Sequence, residues 1–307
     1  MGEGSATVSV VRMGSAPPTR QVDLLAVEEP LEIRLGWRAP HGLTRSEKTI
    51  SITMRTPGHD LELAAGFLLG EGIVRDRAQI ASLAHCGPVA PGRATSNVVK
   101  LGVADGVTLD LARLERSFYT TSSCGVCGKT SLEALRAVGP PRLAPDGPRV
   151  VASVIHGLPS AIRAHQEVFE QTGGLHAAAL FDARGELLGV REDVGRHNAV
   201  DKLLGAQLLA GKVPPDERGG AAVMLVSGRA SFELVQKALM AGVPILAAVG
   251  APSSLAVELA RESGMTVLGF VRDGRFNVYC GEQRIEGATP HDGRAQASID
   301  EPHSALT

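Results

Sequence analysis

The chain is poor in aromatic residues and cysteines, has no long apolar run and carries no excess of either charge. Aromatic side chains make up 3% of its 307 residues, so the core must be assembled from Ala, Val and Leu, a composition that favours an α/β protein over a β-sandwich. No stretch approaches the roughly 20 consecutive apolar residues that cross a bilayer, and no membrane association is expected. Four cysteines are too few to staple a chain of this length, and no secretory signal opens it, so the expected compartment is the reducing cytoplasm. A formal net charge of −2 argues against a broad footprint on nucleic acid. The length is enough for one large domain or two modest ones.

What the chain does contain is the run Ser122-Ser123-Cys124-Gly125-Val126-Cys127-Gly128-Lys129. A thiolate, not a thiol, attacks sulfur, and a Cys-x-x-Cys beside a lysine and a helix start has the positive surroundings that favour the thiolate. Gly125 and Gly128 keep bulk away from both sulfurs. Zinc ranks lower, because a closed structural site takes four Cys or His ligands, usually as two pairs. Cys86 and Cys280 each stand alone, and His85-Cys86 are adjacent residues that rarely face one metal. No metal is assigned, and Cys86 and Cys280 read as small buried hydrophobes.

Residues 1–18 and 285–307 are rich in Gly, Ala, Ser, Pro and charge and are expected to be disordered tails. Between them the expectation is an N-terminal α+β subdomain over 19–120, a mobile Cys-x-x-Cys loop with a connecting helix over 121–150, and a larger α/β domain over 151–284. Leu31, Ile33, Leu35 and Trp37, then Ile50, Ile52 and Met54, alternate as strands with one buried face. Leu61 to Leu68 follows at helical spacing. A single helix is expected over 158–172 with Pro159 in its first turn. Asp182-Ala183-Arg184-Gly185 then marks a hairpin. From His176 the order is β-β-α-β-α-β-α-β, whose short connections predict parallel neighbours with helices packed on the sheet.

Four further segments attract attention. Arg191 to Asn198 is dense in charge and reads either as a binding loop or as a solvated one in which Asp193 caps the next helix and Arg191 pairs with Glu192. Arg229, followed by Ser231, lies at a strand's carboxyl end, where open α/β sheets hold ligands; a helix start there suits an anion, though Ser231 is equally an ordinary cap. Ser253 and Ser254 repeat that arrangement one unit later. Phe270-Val271-Arg272-Asp273-Gly274-Arg275 puts two arginines about a turn, which suits phosphate oxygens beside a stacked base or makes a plain hairpin. His176, entering an apolar strand, is either catalytic or a satisfied core histidine.

Together these segments resemble the formate dehydrogenase accessory sulfurtransferase family (FdhD/NarQ). The resemblance runs from about Val22 to Tyr279 through Arg55-Thr56-Pro57-Gly58, Glu62 to Leu68, Ser122 to Lys129, Thr172 to His176, Arg191 to Lys202, Ser227 to Lys237 and Ala251 to Leu255. It implies a C-terminal cytidine-deaminase-like three-layer αβα domain with a smaller β-rich N-terminal subdomain. The deaminase signature of His-x-Glu followed by Pro-Cys-x-x-Cys is lacking, so deamination is not expected. The resemblance further implies a sulfurtransferase that accepts persulfide sulfur from a cysteine desulfurase. The acceptor would be the molybdenum, or tungsten, of a bis(pterin guanine dinucleotide) cofactor before its insertion into the formate dehydrogenase catalytic subunit. By position, Cys124 is the first choice for the persulfide and Cys127 the second. Phe270, Val271, Arg272, Asp273, Gly274 and Arg275 would hold the guanine dinucleotide, with Arg229, Ser253 and Ser254 at its phosphates. A homodimer is implied. Two other readings are a dithiol oxidoreductase cycling through a Cys124–Cys127 disulfide and a non-catalytic cofactor chaperone.

Overall fold

The structure is a computed structural model and describes residues 4–14, 17–38, 45–91, 93–107, 109, 141, 143–144, 146–213 and 220–287. Its first half comprises β1 (Ser5–Arg12), β2 (Thr19–Ala26), β3 (Glu29–Arg38), β4 (Arg45–Arg55), α1 (Asp60–Gly70), β5 (Ile80–His85) and β6 (Val98–Val103). The second half runs β7 (Val150–Val151), α2 (Ala152–Arg163), α3 (Glu167–Thr172), β8 (His176–Phe181), β9 (Leu187–Asp193), α4 (Arg196–Leu209), β10 (Val223–Val226) and α5 (Phe232–Met240). It closes with β11 (Ile245–Ala248), α6 (Ser254–Ser263), β12 (Thr266–Arg272), β13 (Arg275–Cys280) and β14 (Ile285–Glu286).

The apolar runs of β10 and β11 are buried at every position, as central strands covered on both faces must be. They lie in a six-stranded sheet of order β13-β12-β11-β10-β8-β9. Strands β10, β11 and β12 run parallel, while β8, β9 and β13 pair antiparallel with their neighbours. Because side chains alternate along a strand, each strand feeds two cores. Ala177, Ala179, Phe181, Val223, Leu225, Ile245 and Ala247 meet Ile155, Leu158 and Ile162 of α2. Ala178, Leu180, Met224, Val226, Leu246 and Ala248 face the opposite way, toward α4, α5 and α6. The predicted β8–β9 hairpin is present: Asp182 Oδ1 accepts from the backbone N–H groups of Arg184 and Glu186, both at 2.8 Å.

A four-stranded sheet of order β4-β3-β6-β5 makes up most of the first half. Leu31, Ile33 and Leu35 of β3 are fully buried and share one continuous core with α1 and α4. That continuity depends on two glycines. A Cβ on Gly66 of α1 would overlap the Asp201 carbonyl of α4, and one on Gly205 of α4 would overlap the Glu62 carbonyl of α1. The helices therefore cross backbone against backbone, which lets Leu63, Leu68 and Leu69 each contribute about 1.5–3 kcal/mol of burial.

Four expectations are corrected. Residues 1–18 do not form a disordered tail, since Ser5–Arg12 pairs antiparallel with Thr19–Ala26 over eight residues. The alternation of Ile50, Ile52 and Met54 does not mark one buried face. The register jumps between Ile33 and Arg34, which face Ser51 and Thr49, so Ile50 is the extra residue of a bulge and the pleat inverts beyond it. Ile52 and Met54 consequently point outward at 63% and 47% exposure, while Ser51 and Arg55 turn in. The helix expected over 158–172 is two helices, α2 and α3, and Pro159 falls inside α2 instead of its first turn. Finally, Ile285–Glu286 is not tail but a strand beside Val150–Val151.

Candidate functional site

The carboxyl ends of β10, β11 and β12 open into a cleft of about 600 Å³, within the roughly 300–1,000 Å³ usual for ligand sites. Ser227, Val249 and Arg272 line it from these strand ends, and His176 joins them from the start of the antiparallel β8. Ile162, Gln166 and Phe169 form the wall contributed by α2, α3 and the turn between them. The loops after the three parallel strands lie side by side. Gly250 N–H donates to the Gly228 carbonyl at 2.9 Å, and Phe270 N–H donates to the Gly250 carbonyl at 3.1 Å. Gly250 permits this close approach, since a Cβ there would come within 3.1 Å of both Arg229 Cγ and the Gly228 carbonyl.

Backbone distortion marks the end of β12 and the turn that follows it. Phe270 and Asp273 both take left-handed φ values, 55° and 53°, which cost energy in non-glycine residues and concentrate at ligand sites. The β12–β13 register shifts between Gly269 and Arg272, turning Arg272 toward the cleft with its guanidinium 5.9 Å from the centroid of the Phe270 ring. Of the predicted cofactor residues, Arg272 and Asp273 line the cleft. Val271 is sealed in the core beneath it. Gly274, at φ 68°, makes the turn, and Arg275 lies exposed opposite Arg272 across that turn. Ser253 caps α6 by accepting from Ala256 N–H at 3.3 Å, and Ser254 is the first helical residue behind it. Arg229 is not among the residues that line the cleft; its side chain packs beside Gly250. Cys124 and Cys127 lie outside the described residues, and of the mobile loop and connecting helix expected over 121–150 only residues 141, 143–144 and 146–150 are described.

The segment Arg191 to Asn198 is neither a free binding loop nor a solvated one, because its charges are spent inside the protein. Asp193, fully buried, accepts from Thr56 N–H at 3.1 Å, Gly195 N–H at 2.8 Å and Asn198 Nδ2 at 3.0 Å, and pairs with Lys202 Nζ at 2.7 Å. Arg191 does not pair with Glu192 but grips Glu62 of α1 with two hydrogen bonds, at 2.5 and 2.8 Å. Burial by itself would raise the Glu62 carboxyl, yet its bonds with Arg191 and His59 win and bring it down to about 2. Glu192 instead accepts from the Val168 and Phe169 N–H groups at the start of α3. Ser231 is not the expected side-chain cap of α5; its hydroxyl lies 3.4 Å from His197 Nε2. His176 is held below the ordinary imidazole range, chiefly by burial and then by the neighbouring charges of Arg196 and His197.

A smaller cavity of about 240 Å³ lies in the first half, lined by Glu29, Arg55, Asp60, His85, Arg93 and Asn97 among others. Its charges are largely matched: Arg55 makes two 2.9 Å bonds to Asp60 and one to Asn97 Oδ1, and Arg93 pairs with Glu29. Among the described residues no three His, Cys, Asp or Glu side chains are grouped to hold a metal ion, and no helix is long and apolar enough to cross a membrane. Sequence reasoning missed Gln166 and the Glu62–Arg191 and Asp193–Lys202 links. The charge density around Asp193 was the available signal, but Thr56 lies 137 residues from Asp193 and Glu62 lies 129 residues from Arg191.

The mixed sheet, the helices on both its faces and the cleft at its strand ends define an α/β protein with an open cleft at the carboxyl edge of its sheet. The chain belongs to the FdhD/NarQ family, whose model matches residues 26–286. It is 50% identical over 287 residues to the sulfur carrier protein FdhD of Streptomyces avermitilis, covering 93% of this chain and 97% of that one. Identity to the sulfur carrier protein FdhD of Mycobacterium tuberculosis is 48% over 291 residues, covering 93% of this chain and all of the relative. Among solved structures, a Desulfotalea psychrophila protein assigned as a formate dehydrogenase accessory protein superposes with a TM-score of 0.67 at 26% identity, over 92% of this chain and 99% of that one.

Proposed function

We propose that this chain is a sulfurtransferase of the cytoplasm serving formate dehydrogenase, carrying sulfur as a persulfide on Cys124, with Cys127 the second choice. The sulfur donor is a cysteine desulfurase. The chosen thiolate attacks the outer sulfur of the desulfurase persulfide, the S–S bond to the desulfurase breaks, and the desulfurase thiolate leaves, so no outside oxidant or reductant is consumed. The acceptor is the molybdenum, or tungsten, of a bis(pterin guanine dinucleotide) cofactor. Attack of the second thiolate on the inner sulfur of the carried persulfide expels hydrosulfide, which, with one proton from solvent, would replace an oxo ligand of the acceptor's metal, the oxygen leaving as water. A Cys124–Cys127 disulfide remains for a cellular dithiol to reduce. The sulfurated cofactor then passes to the formate dehydrogenase catalytic subunit.

The observation that carries this reading is the strand-end cleft with Arg272 and Asp273 at its edge, in a chain that shares about half its residues with proteins named as sulfur carriers. The cleft has room for one nucleotide arm. A two-fold homodimer would offer two such clefts to a cofactor with two similar arms. We read the second half as cytidine-deaminase-like and the first half as its smaller β-rich subdomain; a six-stranded sheet covered by helices on both faces supports that reading. Intact-mass spectrometry after incubation with a cysteine desulfurase and cysteine tests the function. The expected result is added sulfur that a thiol reductant removes and that Cys124→Ser abolishes. A loss of two hydrogens in the parent with no sulfur gained even by Cys127→Ser, whose Cys124 persulfide has no second thiolate to expel its sulfur, would favour the dithiol oxidoreductase, and an unchanged mass in both would favour the chaperone.

A further inference from the structure

One polar side chain in the cleft wall is left without a partner by the protein itself. Gln166 is 6% exposed and lines the cleft, yet among the described residues nothing hydrogen-bonds its carboxamide. Nor, among the described residues, is either of its amide atoms sealed from solvent without a partner. The amide therefore opens into the cleft. An amide open to the cleft exchanges solvent for the bonds a ligand supplies, and its one acceptor and its donor set what that ligand must offer.

Its position is fixed. Gln166 N–H donates to the Arg163 carbonyl at 3.3 Å, and its own carbonyl accepts from Glu170 N–H at 2.9 Å. The α3 turn that follows is tied to Glu192 of β9 through Val168 and Phe169. Around the amide the cleft is apolar on several sides, with Pro159, Ile162, Phe169 and Leu175, while cationic Arg163 and Arg272 also line it. Flat apolar contact, one buried amide and nearby guanidinium groups match a heterocycle carrying an anionic tail.

We propose that Gln166 reads the lactam edge of a flat heterocycle, the ring N–H beside a ring C=O that guanine and pterin share. Gln166 Oε1 accepts from the ring N–H, and Nε2 donates to the ring carbonyl oxygen. The inference rests on the reading that the cleft holds the pterin guanine dinucleotide, and it names which side chain recognises the ring. A site whose buried polar group pairs with its ligand loses affinity steeply when that pairing is removed.

Calorimetric titration of the full chain with GDP, neopterin and inorganic pyrophosphate tests it, using the parent protein, Gln166→Leu and Arg272→Ala. Gln166→Leu should lose at least tenfold in affinity for a lactam ligand, keep pyrophosphate affinity within about twofold, and melt no lower than the parent, because no internal bond is lost. A loss for GDP alone assigns the ring to guanine, and a loss for neopterin alone assigns it to pterin. If both ligands bind the Leu variant as they bind the parent, while Arg272→Ala still weakens GDP, the role of Gln166 is overturned and the cleft reading survives. If the Leu variant loses pyrophosphate binding and melting temperature together, Gln166 is structural and the inference fails. Absence of GDP and neopterin binding to the parent removes the cleft reading, and this inference with it.

Discussion

Replacing Gly205 by alanine should destabilise this protein, although alanine is the better helix former. Within α4 the exchange gains about 1 kcal/mol of helix propensity. Against that gain, the new Cβ would overlap the Glu62 carbonyl and lie 2.7 Å from the Gly66 nitrogen of α1. Both obstacles are backbone atoms, so no rotamer change relieves them and the helices must move apart. Overpacking of this kind costs about 1–3 kcal/mol. Separation also begins to expose Leu63 and Leu68, which are 1% and 0% exposed; each 40 Å² or so of apolar surface uncovered adds about 1 kcal/mol. The net expectation is a loss of roughly 1–3 kcal/mol. Gly157 of α2 is the control, since a Cβ there meets nothing within 4 Å, and Gly157→Ala should gain roughly 0.5–1 kcal/mol from propensity alone. Urea denaturation reads both as shifts of the midpoint at constant slope. The midpoint should fall for Gly205→Ala and rise for Gly157→Ala; a rise for both would refute the close crossing.

Two further predictions concern the charges that join the halves. The Glu62 carboxyl is lowered from 4.5 to about 2 in the folded protein, so its contribution is fully present above about pH 4.5 and is lost as pH falls toward about 2. Discounted for partial solvent screening, it amounts to roughly 1–2 kcal/mol, and Glu62→Gln should flatten the acid limb of a stability–pH curve by that amount; an unchanged limb would remove the Glu62–Arg191 link. Lys202, 1% exposed, pairs with Asp193 and also donates to the Thr56 carbonyl at 2.8 Å. Lys202→Met should cost about 3–5 kcal/mol because it leaves a buried carboxylate without its cation, and adding Asp193→Asn should recover part of this in urea titrations, whereas additive losses would contradict the pairing.

From His176 onward the order of elements was legible because the strands are short apolar runs between glycines and the helices start and stop at ordinary signals. In the first half the local pattern was less reliable. Nothing in Ile50, Ile52 and Met54 shows that Ile50 is the extra residue of a bulge, since the inversion is defined only by the partner strand, where Ile33 and Arg34 face Ser51 and Thr49. The β1–β2 hairpin was hidden for a different reason. Its burial pattern is mostly exposed or intermediate, so it has no apolar face to announce it and reads like a tail. Pro159 misled because its lack of an N–H was taken as a mark of a first turn, whereas α2 already begins at Ala152.

The site was legible in its outline and not in its wiring. Strand-end arginines in an α/β order point to a ligand edge, and Arg272 lies on it, but Val271 in the same run turns into the core because side chains alternate even in a distorted strand. Charge density misled at Arg191 to Asn198, where it is normally a sign of exposure. Here it marks a buried joint, in which each charge must find a partner, and those partners are Glu62 of α1, Thr56 beyond β4 and Lys202 of α4. The joint also bears on the cleft. Asp193 lies directly opposite His176 in the β8–β9 ladder, and it is the one carboxylate that acts to raise that imidazole, while burial and the charges of Arg196 and His197 act to lower it and prevail. Asp193 is already bound by Lys202 and three N–H donors, so it is engaged away from His176, whose imidazole stays below its ordinary range. Burial is the largest of these influences, so the polarity at the mouth of the cleft is set chiefly by how deeply His176 sits at the start of β8, and the buried carboxylate beside it only opposes that trend.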